Sequence, residues 1–203
     1  MVNENQRLVK TSLAVVMAVV IAISAQISFK IGPVPYTMQN FGVVLAGFLL
    51  GPYYGMLSVT IYLGMIAISL PFAAGGGGIG VLFGFTSGYL FGFLFTAFLA
   101  GYFREKLKDR VRMLWLSTFI AAIPTYILGF AVFYRFAVGN AKLSAFAQSA
   151  VQLFGIPEIS FPFMIFAATV LIYIPQDMLI DHFLAVVVYR YVRDLLIQRG
   201  IGI

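Results

Sequence analysis

Asp177 is the residue of this chain whose chemistry stands out, because it lies inside a long apolar segment. It follows Pro175 and Gln176, and Asp181 comes four residues later on the same face of a helix. An ionisable group in such a segment is costly unless it is paired or hydrated, so a functional role is the default interpretation. The alternative is a structural hydrogen bond to a neighbouring helix. His182 points about 100° away from Asp181 and is more typical of a packing or capping residue than of a ligand.

The second candidate is a glycine-rich stretch at 70–89, with Gly75, Gly76, Gly77 and Gly78 in a row. Irregular backbone is tolerated within a membrane only where it is buried in protein, lines a cavity or reaches water, so the stretch predicts a site. It lacks the Gly-x-x-x-x-Gly-Lys-Ser/Thr pattern of a phosphate-binding loop, and we expect no ATP hydrolysis by this chain. A serine hydrolase would pair Ser87 with His182, but the glycine normally found two residues before such a serine is missing.

The composition indicates an integral membrane protein. Of its 203 residues, 62% are hydrophobic and only 10% are charged, against about 25% charged in a soluble domain. The absence of cysteine excludes disulfides and thiolate chemistry, and with a single histidine we expect neither a metal nor a cofactor. We expect one compact domain over residues 1–203, an all-α bundle of six transmembrane helices that retains its first apolar stretch at 13–27.

Apolar runs bounded by glycine, proline or charged residues predict the membrane spans. They lie at 11–29, 39–50, 53–70, 86–103, 113–137 and 161–191. The second is short and ends at Gly51-Pro52, and Pro175 is expected to kink the sixth. Three basic clusters then fall on one face: Arg7 and Lys10; Arg104, Lys106, Lys108, Arg110 and Arg112; and Arg190, Arg193 and Arg199.

The other face receives only Lys30, Arg135 and Lys142. The excess of basic residues on cytoplasmic loops places both termini in the cytoplasm and the glycine-rich stretch outside. This bias explains the net charge of +6 without a nucleic-acid partner. The loop at 32–35 and an irregular loop from about Gly139 to Phe161 are expected on the same outer face.

The first span carries a stripe of small residues, Ala14, Ala18 and Ala22, spaced every four positions. Such stripes let another helix approach closely in lipid. The residues alone leave two alternatives open, packing inside this bundle or docking of an external partner helix.

Several short motifs follow one another along the chain: GPVPYTMQ (32–39), LLGPYYG (49–55), LPF (70–72) with the glycine run, GFTSGY (84–89), YILG (126–129) and IPQD (174–177). Taken in this order, they resemble the BioY family, the biotin-binding S components of energy-coupling-factor (ECF) vitamin transporters. The resemblance covers nearly the whole chain. It implies a six-helix binding protein of the cell membrane, not an enzyme, capped by the loop between its first two helices.

The resemblance also implies partners and a mechanism. They are a transmembrane coupling subunit and two cytoplasmic ATPases, which make the loaded S component topple in the membrane and release the vitamin inside. The Ala14-x-x-x-Ala18 pair matches the motif by which such S components dock onto the coupling subunit, which favours the docking alternative.

The resemblance gives the candidate site residues their roles. Asp177 would accept hydrogen bonds from the two N–H groups of the biotin ureido ring. Tyr36, Phe72, Phe85 and Tyr89 would form apolar walls, and glycines 75–78 would offer backbone N–H groups. Gln39 would bond a polar end of the ligand, and Thr86 and Gln176, which belong to the matched motifs, are expected to be substrate-binding residues too.

Two features depart from the family pattern. Ile180 stands where the family commonly has a lysine, one turn after Asp177, and the stretch from about Gly139 to Phe161 is longer than usual. Another small vitamin therefore stays open as the ligand. A stand-alone carrier or channel, proton-coupled through Asp177 and Asp181, is the alternative from a different class.

Overall fold

The computed structural model describes residues 4–30, 34–107, 110–157 and 159–198. Parts of the predicted features lie outside the described residues. They are Gly32 and Pro33 of the first loop, the basic residues Lys108 and Arg199, and Glu158.

The described chain is built almost entirely from helices. The first six are α1 (Glu4–Gln26), α2 (Gln39–Ala67), α3 (Ile79–Leu82), α4 (Ser87–Leu107), α5 (Val111–Ala137) and α6 (Ala141–Leu153). A long C-terminal run follows: α7 (Phe161–Phe166), the π-helical segment π1 (Ala167–Leu171), α8 (Ile174–Gln176), the π-helical segment π2 (Asp177–His182) and α9 (Phe183–Gln198). Two short strands, β1 (Ser28–Phe29) and β2 (Tyr36–Thr37), pair antiparallel in the loop after α1.

Four helical stretches among the described residues are long and apolar enough to cross a membrane. They are Gln6–Gln26, Gln39–Ala67, Val111–Ala137 and Phe161–Leu195. The expected all-α membrane fold is therefore confirmed.

Helix α2 is a hairpin of two antiparallel arms, 39–50 and 52–67. Gly51 has φ +81°, a left-handed conformation that glycine adopts without strain, and Pro52 starts the second arm. A Cβ atom on Gly55 would lie 2.7 Å from the Cα of Gly47, so the two arms pack backbone against backbone. Arg104 of α4 donates to the carbonyl oxygens of Phe48 (2.8 Å) and Leu49 (3.3 Å) at the end of the first arm. The turn predicted at Gly51-Pro52 is confirmed.

Helix α4 packs against α2 and α5 through small residues. A Cβ on Gly92 would collide with the backbone of Thr125, so α4 and α5 cross closely at this point. The hydroxyl of Thr96 donates to the carbonyl oxygen of Ala121 (2.9 Å) and shares a 2.8 Å hydrogen bond with that of Thr125. This close crossing fixes α5 beside α4 and brings their tyrosines to the same cavity.

One expectation about the elements is wrong, and two helices have bounds that differ from the predicted spans. The loop expected between Gly139 and Phe161 contains helix α6, capped by Asn140, whose side chain accepts from the Leu143 N–H (3.2 Å). The polar residues on one face of α6 give this part of the sequence the composition of a loop. Helix α1 runs from Glu4 to Gln26, whereas the predicted span runs from 11 to 29. The prediction ends too late because the apolar pattern continues past the end of the helix into β1. The third span ends at Ala67, not at residue 70, because Ser69 has a positive φ of 71° that a helix does not allow.

The alanine stripe of α1 lies inside the bundle. Ala14, Ala18 and Ala22 are 0%, 0% and 2% exposed, and α1 packs on the first arm of α2, where a Cβ on Gly42 would lie 3.0 Å from the Cα of Ile21. The stripe therefore serves internal packing, and the expectation that it is an accessible docking surface is wrong for this conformation. The opposite face of α1 is exposed and apolar, as a lipid-facing surface is.

Candidate functional site

The C-terminal run positions the candidate site. Pro175 has no N–H group, and the backbone changes from π1 through two turn residues to α8 just before it. Asp177 then begins π2, in which Asp177, Met178, Asp181 and His182 are buried. Because π turns inside helices concentrate at functional sites, the irregular backbone marks this segment independently of its charges.

A cavity of about 50 Å³ lies beside Asp177. Its walls come from the loop carrying β2, the start of α2, helices α4 and α5, and the C-terminal run. Its polar lining consists of Thr37, Gln39, Asn40, Thr125, Gln176 and Asp177, together with the tyrosines Tyr89, Tyr126 and Tyr173. The sequence thus brings residues more than a hundred positions apart to one enclosed polar space.

Asp177 is the charged group of this cavity. It is 5% exposed, and the hydroxyl of Tyr126 donates to its Oδ2 at 2.6 Å, a short charge-assisted bond. The described lining includes no lysine, arginine or histidine. Asp177 is therefore held by uncharged partners, the Tyr126 hydroxyl and the Asn40 side chain, and its carboxylate retains capacity to accept from a ligand.

A chain of hydrogen bonds links the cavity to the start of the glycine-rich stretch. Thr37 donates through its hydroxyl to Gln39 Oε1 (2.9 Å), and Gln39 Nε2 donates to the hydroxyl of Tyr62. Tyr62 in turn donates to the carbonyl oxygen of Phe72 (2.9 Å). The amide of Gln39 is thus fixed by protein partners on both sides.

Aromatic residues cover the side of the cavity formed by the loop that carries β2. Tyr36 stacks on Tyr173 with ring centroids 4.2 Å apart and on Phe29 at 5.0 Å, and its hydroxyl donates to the Ile172 carbonyl oxygen at 2.8 Å. Tyr173 donates to the carbonyl oxygen of Val34. Burial, and secondly the charge of Asp177, raise the pKa of Tyr36 to about 12, so its hydroxyl remains a donor at any physiological pH.

Several buried acceptor atoms near Asp177 have no partner among the described residues. They are Asn40 Oδ1, Gln176 Oε1 and Asp181 Oδ2. Gln176 uses its amide nitrogen for the Thr37 carbonyl oxygen (3.1 Å) and for Asp181 Oδ1 (3.3 Å). Buried polar groups are normally hydrogen-bonded, so this concentration of free oxygens suits a molecule that brings hydrogen-bond donors.

The structure brings some of the predicted site residues together and leaves others apart. Asp177, Gln39, Gln176 and Tyr89 line the cavity, and Tyr36 stacks on its wall.

The remaining predicted residues lie outside the cavity lining. Phe72 reaches the site only through its carbonyl group, and Phe85 packs on Phe133, with ring centroids 5.7 Å apart. Thr86 belongs to the turn that starts α4, where its carbonyl oxygen accepts from the Tyr89 N–H. In the glycine run, Gly76 pairs with Ala73, and the Gly78 N–H donates to the Ile66 carbonyl oxygen (2.7 Å). In this conformation the run closes on its own neighbours.

Sequence reasoning missed several residues of the cavity, notably Asn40, Thr125, Tyr126 and Tyr173. Asn40 carried a usable signal, because it is a polar residue at the start of an apolar span beside Gln39. Tyr126 lay in a matched motif but had no role assigned. Nothing in the local sequence distinguishes Tyr173 from the other tyrosines of the chain.

The arrangement gives no support to a serine hydrolase. Both ring nitrogens of His182 are buried without a hydrogen-bond partner in the described part of the chain, so Ser87 is not bonded to the histidine. Among the described residues, no three metal-binding side chains lie together.

Fold and site together define a class: helical multi-pass membrane proteins that enclose a polar binding cavity within the bundle. The BioY family profile matches residues 2–198, and the chain belongs to this family.

Named relatives agree with this assignment. A probable biotin transporter BioY of Pyrococcus horikoshii is 37% identical over 132 residues, covering 59% of this chain and 82% of the relative. The biotin transporter BioY of Lactococcus lactis is 36% identical over 162 residues, covering 79% and 76%. The crystal structure of the S component for biotin from an ECF-type ABC transporter superposes with a TM-score of 0.73 at 27% identity, covering 96% of this chain and 95% of that one.

Proposed function

We propose that this protein is the biotin-binding S component of an ECF-type uptake transporter. The supporting observation is the acceptor-rich cavity around Asp177. The biotin ureido ring presents two N–H donors, and a buried carboxylate flanked by unpartnered oxygens can accept both. The relatives named as biotin transporters and the likeness to a biotin S component favour this ligand over other vitamins.

The proposal includes a topology. Six spans would be formed by α1, the two arms of α2, α4, α5 and the C-terminal run. The basic clusters then share one face, which we assign to the cytoplasm together with both termini, and the protein lies in the cell membrane. Biotin is captured from outside and delivered inward by a coupling membrane subunit and two cytoplasmic ATPases.

Calorimetric titration of the purified protein tests the ligand directly. We expect saturable binding of biotin and none of thiamin or riboflavin. Asp177→Asn keeps the shape of the side chain but removes its charge, and a lost charged hydrogen bond costs about 1.5–3 kcal/mol, or roughly 10- to 150-fold in affinity. Asp194→Asn, at an exposed position on α9, is the matched control. Absence of biotin binding by the wild type would reject the ligand, and unchanged binding by Asp177→Asn would reject the site.

A stand-alone carrier is the second candidate, because Asp177 and Asp181 are both buried while the described salt bridges involve neither. It predicts uptake driven by an ion gradient into vesicles that contain this chain alone. Uptake that requires added ATPase and coupling subunits supports the S component instead.

A further inference from the structure

A second, larger cavity adjoins the one at Asp177. This lateral groove has a volume of about 610 Å³ and is lined mainly by apolar side chains, including Ile27, Phe29, Phe154, Leu179 and Ile180. It runs between the end of α1, the end of α6 and the start of π2.

Only a thin partition separates the groove from the polar cavity. Thr37 and Gln176 line both spaces, and Tyr36, which lines the groove, stacks on Tyr173 of the cavity. The polar cavity alone is far smaller than the roughly 300 Å³ of the smallest typical ligand pockets, whereas the groove exceeds that size. A ligand whose ring bonds Asp177 therefore has room for its chain past Gln176, in the groove.

The groove offers no counter-ion for the end of such a chain. Asp181 is the charged residue in its described lining, and the described linings of groove and cavity contain no lysine, arginine or histidine. Oδ2 of Asp181 is buried and unpartnered. A terminal carboxylate would thus lose water among apolar side chains without a cation to compensate its charge, which is unfavourable.

We propose that this protein recognises its ligand by the donor-bearing ring and the apolar chain, and not by a terminal carboxylate, so that neutral amides of biotin are ligands in their own right. This inference rests on the proposed function and extends it to the specificity of the same site. The polar cavity selects donors, and the lateral groove selects an uncharged tail.

Competition titration of the purified full chain with biotin, biotin amide and N-butyl biotin amide tests the inference. We expect each amide to bind at least as tightly as the acid, with a gain of up to about tenfold, because no ion pair is lost and no carboxylate has to be desolvated. Biotin binding with weaker binding of the amides would overturn the inference and leave the proposed function intact. Failure of all three compounds to bind would overturn both.

Ile180 provides the matched pair of variants, since it is 53% exposed to the groove and lies one turn after Asp177. Ile180→Lys places an ammonium group at the groove, and we expect the affinity ratio of acid to amide to rise about tenfold. Ile180→Met has a similar size without charge, and we expect it to keep the wild-type ratio. An unchanged ratio in Ile180→Lys would mean that the chain of the ligand does not enter the groove, and it would overturn the inference.

Discussion

Removing the hydroxyl of Tyr36 is expected to speed both entry and exit of the ligand. The loop carrying β1 and β2 is held to the C-terminal run by three hydrogen bonds: Tyr36 to the Ile172 carbonyl oxygen (2.8 Å), Gln176 to the Thr37 carbonyl oxygen (3.1 Å), and Tyr173 to Val34. Since the cavity of about 50 Å³ must enlarge to admit a ligand, these bonds have to break during binding. Tyr36→Phe keeps the stacked ring and removes one of them.

The size of the effect follows from that single bond. A neutral hydrogen bond contributes about 1 kcal/mol net, so its loss raises the population of the open loop about fivefold. The closed loop holds the same bond before and after the ligand enters. The association and dissociation rate constants should therefore both rise about fivefold, and Kd should stay within about twofold.

The chain contains its own reporter for this measurement. Its single tryptophan, Trp115, donates from Nε1 to the carbonyl oxygen of Met178 (2.8 Å), the residue after Asp177. Stopped-flow tryptophan fluorescence with biotin gives both rate constants. Tyr191→Phe, at a 65% exposed position on α9, is the control and should match the wild type.

Two results would refute the reasoning in different ways. Unchanged rates in Tyr36→Phe would show that this loop does not control access to the site. An unchanged association rate with a Kd raised about tenfold would show that the Tyr36 hydroxyl bonds the ligand itself, since such a loss is the size of a hydrogen bond with a charged or well-ordered partner.

Three further predictions concern the packing of the bundle, and the first has its own control variant. Gly92→Ala should strongly lower the thermal unfolding temperature, because the new Cβ collides with α5. The control Gly64→Ala has open space around it and should be neutral or stabilise the protein by up to about 1 kcal/mol. Equal effects of the two substitutions would contradict the close crossing of α4 and α5. Ala18→Leu overpacks the buried face of α1 and should lower the free energy of unfolding by about 1–3 kcal/mol, weakening ligand binding as well. A defect confined to assembly with partner subunits would instead support the docking interpretation of the stripe. Arg104→Met removes the hydrogen bonds to the end of the first arm of α2 at Phe48 and should lower the free energy of unfolding by about 1.5–3 kcal/mol. An unchanged melting curve would show that these bonds do not stabilise the bundle.

The sequence allowed much of the helical organisation to be predicted. The lengths of the apolar runs and the Gly-Pro pair between two of them located the turn at Gly51-Pro52, because a glycine followed by a proline favours a turn over a continuous helix. The same reasoning failed at α6 and at the ends of α1. Hydropathy measures transfer into an apolar medium, and it does not report helical hydrogen bonding in amphipathic or flanking segments.

The candidate site was predictable only where a residue is unusual for its surroundings. Asp177 stands out in an apolar run, and the cavity lies against it. Tyr126, which bonds Asp177, looks like any membrane tyrosine, since its role depends on how α5 packs against the C-terminal run. The direction of the alanine stripe was undecidable for the same reason, because small residues favour close packing against any helix, inside or outside the bundle.

The two π-helical segments, Ala167–Leu171 and Asp177–His182, also bear on how this family can change during evolution. A π turn contains one residue more than an α turn, so each segment corresponds to a single-residue insertion absorbed within the helix. Deleting that residue would restore α geometry and leave the helix that follows close to its present orientation, because the π turn has absorbed the insertion. Homologous chains can therefore gain or lose a residue at this point without shortening the span. Each such event would change the backbone locally around Asp177 while leaving the packing of α9 in place.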